Sequence, residues 1–215
     1  MNSIGRAALV LAALLLAGCQ SAYYSAMEQV GIHKRDIMAD RVEEARDAQG
    51  EARDQFKSAL ERYRSVVTVE DQPLADKYDE LNSEYEASRD AATEVSDRIA
   101  AVESVSEALF DEWREELKLY SNASLRKQSQ SKLVATERKY QSLIKAMRRS
   151  EARMQPVLSV LQDQVLFLKH NLNARAIDAL KGELKTIQTD VGRLVAEMER
   201  SIAESEAFLK TLQEG

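Results

Sequence analysis

Residues 136–172 read TERKYQSLIKAMRRSEARMQPVLSVLQDQVLFLKHNL. Within this run Thr136, Tyr140, Leu143, Met147, Ser150, Met154, Val157, Leu161, Gln164, Leu168 and Leu172 recur at intervals that mostly alternate between four and three. Such a period draws one narrow stripe along an α-helix that packs at a coiled-coil angle, whereas a strand would alternate every second residue. The same spacing runs from Met38 to Val66, from Leu74 to Trp113 and from Ile177 to Leu212. Four stripes of this kind predict an all-α protein, a long antiparallel four-helix bundle with coiled-coil-like packing.

The breaks between the stripes set the topology. Glu70-Asp71-Gln72-Pro73 is a stop and restart, with Pro73 suited to a first helical position. Asn171 and Asn173 can each cap a helix or take a left-handed conformation. Between the second and third stripes the signal is a slip in phase. Extending the second stripe selects Ala123, Lys127, Gln130, Val134 and Glu137, but the third uses Thr136 and Tyr140. A slip across the polar Ser121-Asn122-Ala123-Ser124 predicts a turn. Without that turn, Leu74 to Leu172 would be one helix and the arrangement three-helical. With it, each helix has roughly 40–49 residues and spans ~60–70 Å. Pro156 is expected to kink or locally open the third helix. Gly50, Gly182 and Gly192, inside helices, read as points of close packing.

Charge divides along the same lines. Residues 70–120 carry sixteen acidic and five basic side chains, and residues 122–155 carry nine basic and two acidic. Antiparallel neighbours of this kind choose register through opposite charge. The Arg126–Arg153 stretch could also bind nucleic acid or anionic lipid, but the acidic neighbour already explains its charge, and no nucleic acid is expected as a partner. The one cysteine excludes an intrachain disulfide, so packing alone must hold the fold.

That cysteine closes a different motif. Asn2 to Arg6 is a short, singly positive leader, Ala7 to Leu16 a compact apolar run, and Ala17-Gly18 precede Cys19. The run is too short to span a bilayer and reads as a lipoprotein-type signal peptide, residues 1–18, cleaved before a lipid-bearing Cys19. Residues 19–33 then read as a tether and residues 34–215 as the bundle. Removing the leader, with Arg6, takes the net charge from −6 to −7. Tyr23 and Tyr24, followed by His33, Lys34 and Arg35, are expected to meet the headgroup layer beside the anchor.

Candidate chemistry is sparse. His33 and His170 fall near opposite ends of the bundle, and no serine sits in a nucleophile turn. Asp36, Asp40, Glu43, Asp47 and Asp54 line one side of the first helix and could bind a hard cation, but interleaved Arg35, Arg46 and Arg53 favour a salt-bridged face. The Pro156–Ala174 stretch is the most apolar of the mature chain. Its Leu158, Leu166 and Phe167 offer a partner-binding surface if they are not core.

Gly31-Ile32-His33-Lys34-Arg35-Asp36, Leu109-Phe110-Asp111-Glu112-Trp113 and the Pro156–Ala174 stretch resemble a family of Gram-negative envelope lipoproteins, the domain of unknown function numbered twenty-nine fifty-nine. The resemblance extends from about Cys19 to the C-terminus. It implies a helical, coiled-coil-like lipoprotein with no established activity or site residues. Gln20 after the cysteine is similar to outer-membrane sorting signals. The expected protein is a non-enzymatic adaptor without cofactors, lipid-anchored in the cell envelope, facing the periplasm, with an envelope protein or the cell wall as partner. A lipid or small-molecule binding module using the apolar face of the third helix is the alternative, and a carboxylate metal protein a third.

Overall fold

The computed structural model describes residues 31–69, 72–171 and 174–214, together with Met27. Among the described residues four long helices follow one another: α1 (Lys34–Thr68), α2 (Leu74–Leu119), α3 (Ala123–His170) and α4 (Ala174–Glu214). Each packs against its neighbours in sequence, and α4 closes the ring on α1, so the chain runs up, down, up, down around one core. The turn expected between α2 and α3 is present, which rules out the three-helix alternative.

The stripes become the core. From Met38 to Val66 every stripe position of α1 is buried, Gln49 among them, and so is every α4 position from Ile187 to Leu212. Phe110, Tyr140 and Phe208 meet edge to face where α2, α3 and α4 converge, with ring centroids 5.4 and 6.4 Å apart. Apolar stripes alone leave axial register weakly specified, and buried polar residues correct this. Gln49 Nε2 donates to Ser150 Oγ (3.0 Å) across the diagonal from α1 to α3. Tyr63 donates its hydroxyl to the Leu180 carbonyl of α4 (2.9 Å).

At the Pro73 end, α1 finishes without a basic residue in its last turn. Lys77 of α2 fills that role. Its side chain is buried, and Nζ donates to the carbonyls of Val66 (2.8 Å) and Val69. A cation is favoured at the negative end of the helix dipole, where the last carbonyls lack intrahelical partners.

Three expectations are corrected. The helices are unequal: α1 has 35 residues against 46 in α2 and 48 in α3, because it starts only at Lys34, after Gly31 in the left-handed region (φ +84°). α3 does not open at Pro156 but runs on through it, with the proline on its exposed side. The helix-interior glycines are not close-packing points, since a Cβ at Gly50, Gly182 or Gly192 would meet no atom within 4 Å.

The last correction generates a prediction. Alanine loses less backbone entropy than glycine, so Gly182→Ala and Gly192→Ala should each stabilise the bundle by about 0.5–1 kcal/mol. Urea midpoints would show this, and an unchanged or lower midpoint would contradict open space at those positions.

A second prediction concerns alkali. Burial raises the Tyr63 hydroxyl well above the ordinary tyrosine range, with the Glu183 charge adding to the effect, and burial likewise raises Tyr140. The unfolded chain therefore releases these protons first. The resulting stability is complete below pH about 10 and is lost as pH rises toward the folded-state values. Tyr63→Phe should cost about 1 kcal/mol at neutral pH and flatten the alkaline loss. Urea midpoints of both proteins from pH 8 upward test it.

Candidate functional site

The two ends of the bundle differ, and the end holding the α2–α3 turn carries the more unusual surface. There the chain enters α1: Ile32 N donates to the Met27 carbonyl (3.0 Å), and the His33 carbonyl accepts from the amides of Asp36 and Ile37. Lys34, only 9% exposed, reaches Glu112 of α2 at 2.9 Å. Arg35 donates to the Leu212 carbonyl in the last turns of α4. Both cations thus spend their charge on joining α1 to its neighbours. His33 is exposed at the start of α1, and Cys19, Tyr23 and Tyr24 lie outside the described residues.

These contacts fix levels along the axis. Lys34 is level with Glu112 and Arg35 with Leu212, so α1 and α4 end where α2 and α3 continue. Seven residues of α2, Trp113–Leu119, run past Glu112 before the turn, about 10 Å of helix. Every residue from Lys118 to Gln128 is exposed. The tip is nevertheless firmly built. Asn122 caps α3 by accepting from the amides of Ser124 (2.9 Å) and Leu125 (3.2 Å), and Trp113 Nε1 donates to Ser129 Oγ (2.8 Å) across the hairpin. In the crook between overhang and bundle lies a groove of about 410 Å³, walled by Leu109, Trp113, Ala135 and Leu212 and edged by Arg35 and Glu116.

Among the residues singled out from sequence, the carboxylates of α1 do not converge. Arg46 holds Asp47 and Glu43 at 2.8 and 2.9 Å, and Arg53 holds Asp54 at 2.8 Å. Arg53's hydrogen bond is the main reason that Asp54 titrates below the usual carboxylate range, and Asp47's is the main reason that Arg46 is raised. Asp40 and Asp36, about one and two turns before Glu43, are exposed. Among the described residues no three His, Cys, Asp or Glu side chains gather as a metal ligand set. The two histidines sit at opposite ends, His33 at the start of α1 and His170 in the last turn of α3.

The apolar stretch of α3 divides between core and surface. Leu158 belongs to the core at 6% exposure, whereas Leu166 and Phe167 are exposed at the Pro73 end. The contrast between acidic α2 and basic α3 is only partly used between those two helices. Arg148 forks onto Glu103 and Glu151, but α1 supplies Lys34 to Glu112 and Arg62 to Glu80.

A family profile described as protein of unknown function (DUF2959) matches residues 23–212. The chain belongs to that family. No curated protein and no solved structure matches it. The match begins ahead of α1 and ends in the last turns of α4, so the DUF2959 unit is the whole bundle, overhanging hairpin included. Among the described residues no helix of this DUF2959 protein is long and apolar enough to cross a membrane.

The residues that sequence reading passed over are the apolar ones of the tip, Leu119, Tyr120 and Leu125; Arg126 and Lys127 read only as part of the basic stretch that faces acidic α2. A signal for them exists, because Leu117–Thr136 holds no acidic residue in a chain with thirty-six. Asn122→Ala should cost about 1 kcal/mol through loss of the cap. It should also speed amide exchange in residues 123–128 while leaving the amides around Met147 protected. Equal exchange at the tip in both proteins would show that Asn122 does not hold it.

Proposed function

We propose that this protein is a lipid-anchored, periplasm-facing adaptor of the bacterial cell envelope, without enzymatic activity, attached through Cys19 and most simply to the outer membrane. The observation that carries the reading is Leu16-Ala17-Gly18-Cys19 after a positive leader and a compact apolar run. The fold supports it in a general way. Long helices held only by packing make a stiff rod, ~50–70 Å long, with extended faces suited to helix-in-groove contacts. Because α1 begins at the hairpin end, an anchor at Cys19 directs the Pro73 end, with Leu166 and Phe167, away from the membrane. Those two side chains are the natural contact for an envelope protein or a wall-associated partner. Loss of Leu158 to the core leaves less apolar surface there for a small-molecule site.

Cys19→Ala tests the anchor. Incorporation of a labelled fatty acid should disappear and the protein should leave the membrane fraction, while its helical circular dichroism stays unchanged. Continued labelling of the variant would refute attachment at Cys19. For the adaptor role, a photo-crosslinking residue at Phe167 should capture a discrete envelope component in cells. No capture, together with a stoichiometric small molecule on the purified protein, would replace the adaptor by a binding module.

A further inference from the structure

The overhanging tip combines three features. First, apolar side chains face solvent there: Leu119 is 82% exposed and Leu125 50%, with Tyr120 and Val134 also exposed. These are half of the eight exposed large hydrophobics among the described residues, and Ile32, at the same end, is a fifth. Single exposed apolar residues are ordinary, but a cluster at one extremity is not. Second, Leu117–Thr136 carries Lys118, Arg126, Lys127 and Lys132 and no acid, on a chain whose net charge is −6. Glu115, one turn back, holds Lys118 at 2.6 Å, and Arg126 and Lys127 lie beyond it on the α3 side of the turn, both exposed. Third, the Asn122 cap and the Trp113–Ser129 hydrogen bond hold the turn that carries these side chains.

We propose that the α2–α3 tip is a membrane-contact site, seating Leu119, Tyr120 and Leu125 in the headgroup layer of an anionic bilayer with Arg126 and Lys127 on its phosphates. Leucine and tyrosine favour the boundary between hydrocarbon and headgroups, and adjacent lysine and arginine add attraction to negative lipid. Charge complementarity selects the occupant: an acid-free tip on an acidic protein is repelled least, and attracted most, by a negatively charged surface. The placement rests on the anchored reading of Cys19. Fourteen residues lie between that cysteine and Lys34, where α1 begins at the same end of the bundle as the tip.

The test uses the whole chain with Cys19→Ala, which removes the only native thiol, and one new cysteine bearing an environment-sensitive fluorophore. Ser121→Cys reports on the tip and Gln162→Cys, exposed toward the other end of α3, serves as control. With vesicles of phosphatidylcholine and phosphatidylglycerol, the Ser121 label should shift to the blue and be quenched by lipid-borne quencher, while the Gln162 label stays in water. Arg126→Glu with Lys127→Glu should weaken tip insertion at least about tenfold on these vesicles, and phosphatidylcholine alone should give little insertion with either protein. Unchanged circular dichroism of that variant would show that the loss is not unfolding. A Ser121 label that remains in water, whether or not the protein binds the vesicles, overturns the proposal, as does its burial by a protein partner and not by lipid. Fatty-acid labelling of the native chain at Cys19 is scored separately. Lipid on Cys19 with a wet tip defeats this proposal alone, and a lipid-embedded tip without label on Cys19 defeats the anchor alone.

Discussion

Four narrow apolar stripes must find one common axis, and the rest of the molecule depends on that. No disulfide is available, and isolated helices of this kind are marginal in water, so each gains its stability from the face it buries. A repeating stripe, however, fits almost as well one heptad up or down. The buried polar contacts remove that freedom. Gln49 finds Ser150 only at one setting of α1 against α3, and Tyr63 finds the Leu180 carbonyl only at one setting against α4. Partial exposure makes each flanking ion pair worth little by itself, so these interior bonds, more than the charged flanks, choose the register.

Register then turns a difference in helix length into a difference between ends. With Lys34 fixed against Glu112 and Arg35 against the end of α4, the longer α2 and α3 have nowhere to go but past their neighbours. At the opposite end the mismatch is small, and α1's last carbonyls are met by the Lys77 ammonium. One extremity is therefore closed by a buried cation and the other drawn out into a hairpin.

Much of this was legible in the sequence because burial writes itself into spacing. The stripe from Met38 to Val66 is core throughout, and the one-residue slip around Ser121–Ser124 marks a real turn. What spacing does not encode is the level at which one helix meets the next. The overhang follows from such levels, so Leu119, Tyr120 and Leu125 read as ordinary helix-end residues until Lys34 is seen beside Glu112. Lys77 was hidden for a related reason: a lysine one residue off the stripe reads as solvated, and only the nearby carbonyls of α1 explain its burial. The glycines misled because a missing side chain signals equally a close neighbour and no neighbour, and Gly182 and Gly192 have none.

Charge shows the same separation of roles. Along the flanks, Arg46, Arg53, Arg98 and Arg148 each lie within hydrogen-bonding distance of a carboxylate, which neutralises the sides of the rod locally. Three of the five first-helix carboxylates that looked most like a cation site, Glu43, Asp47 and Asp54, are drawn into these pairs. Past Glu116 the pattern stops, and basic residues continue without acidic ones through the turn and into α3. A single lipid anchor attaches the protein at one point, whereas a second contact at the same end would fix its tilt. On the proposed reading the lipid supplies attachment and the hairpin supplies orientation. A tip that carried no charge would grip any bilayer indifferently, and one that carried no leucine would stay on the surface and slide. The combination of Leu119 and Leu125 with Arg126 and Lys127 does both tasks within nine residues, and it leaves Leu166 and Phe167 at the far end pointing where a partner can reach them.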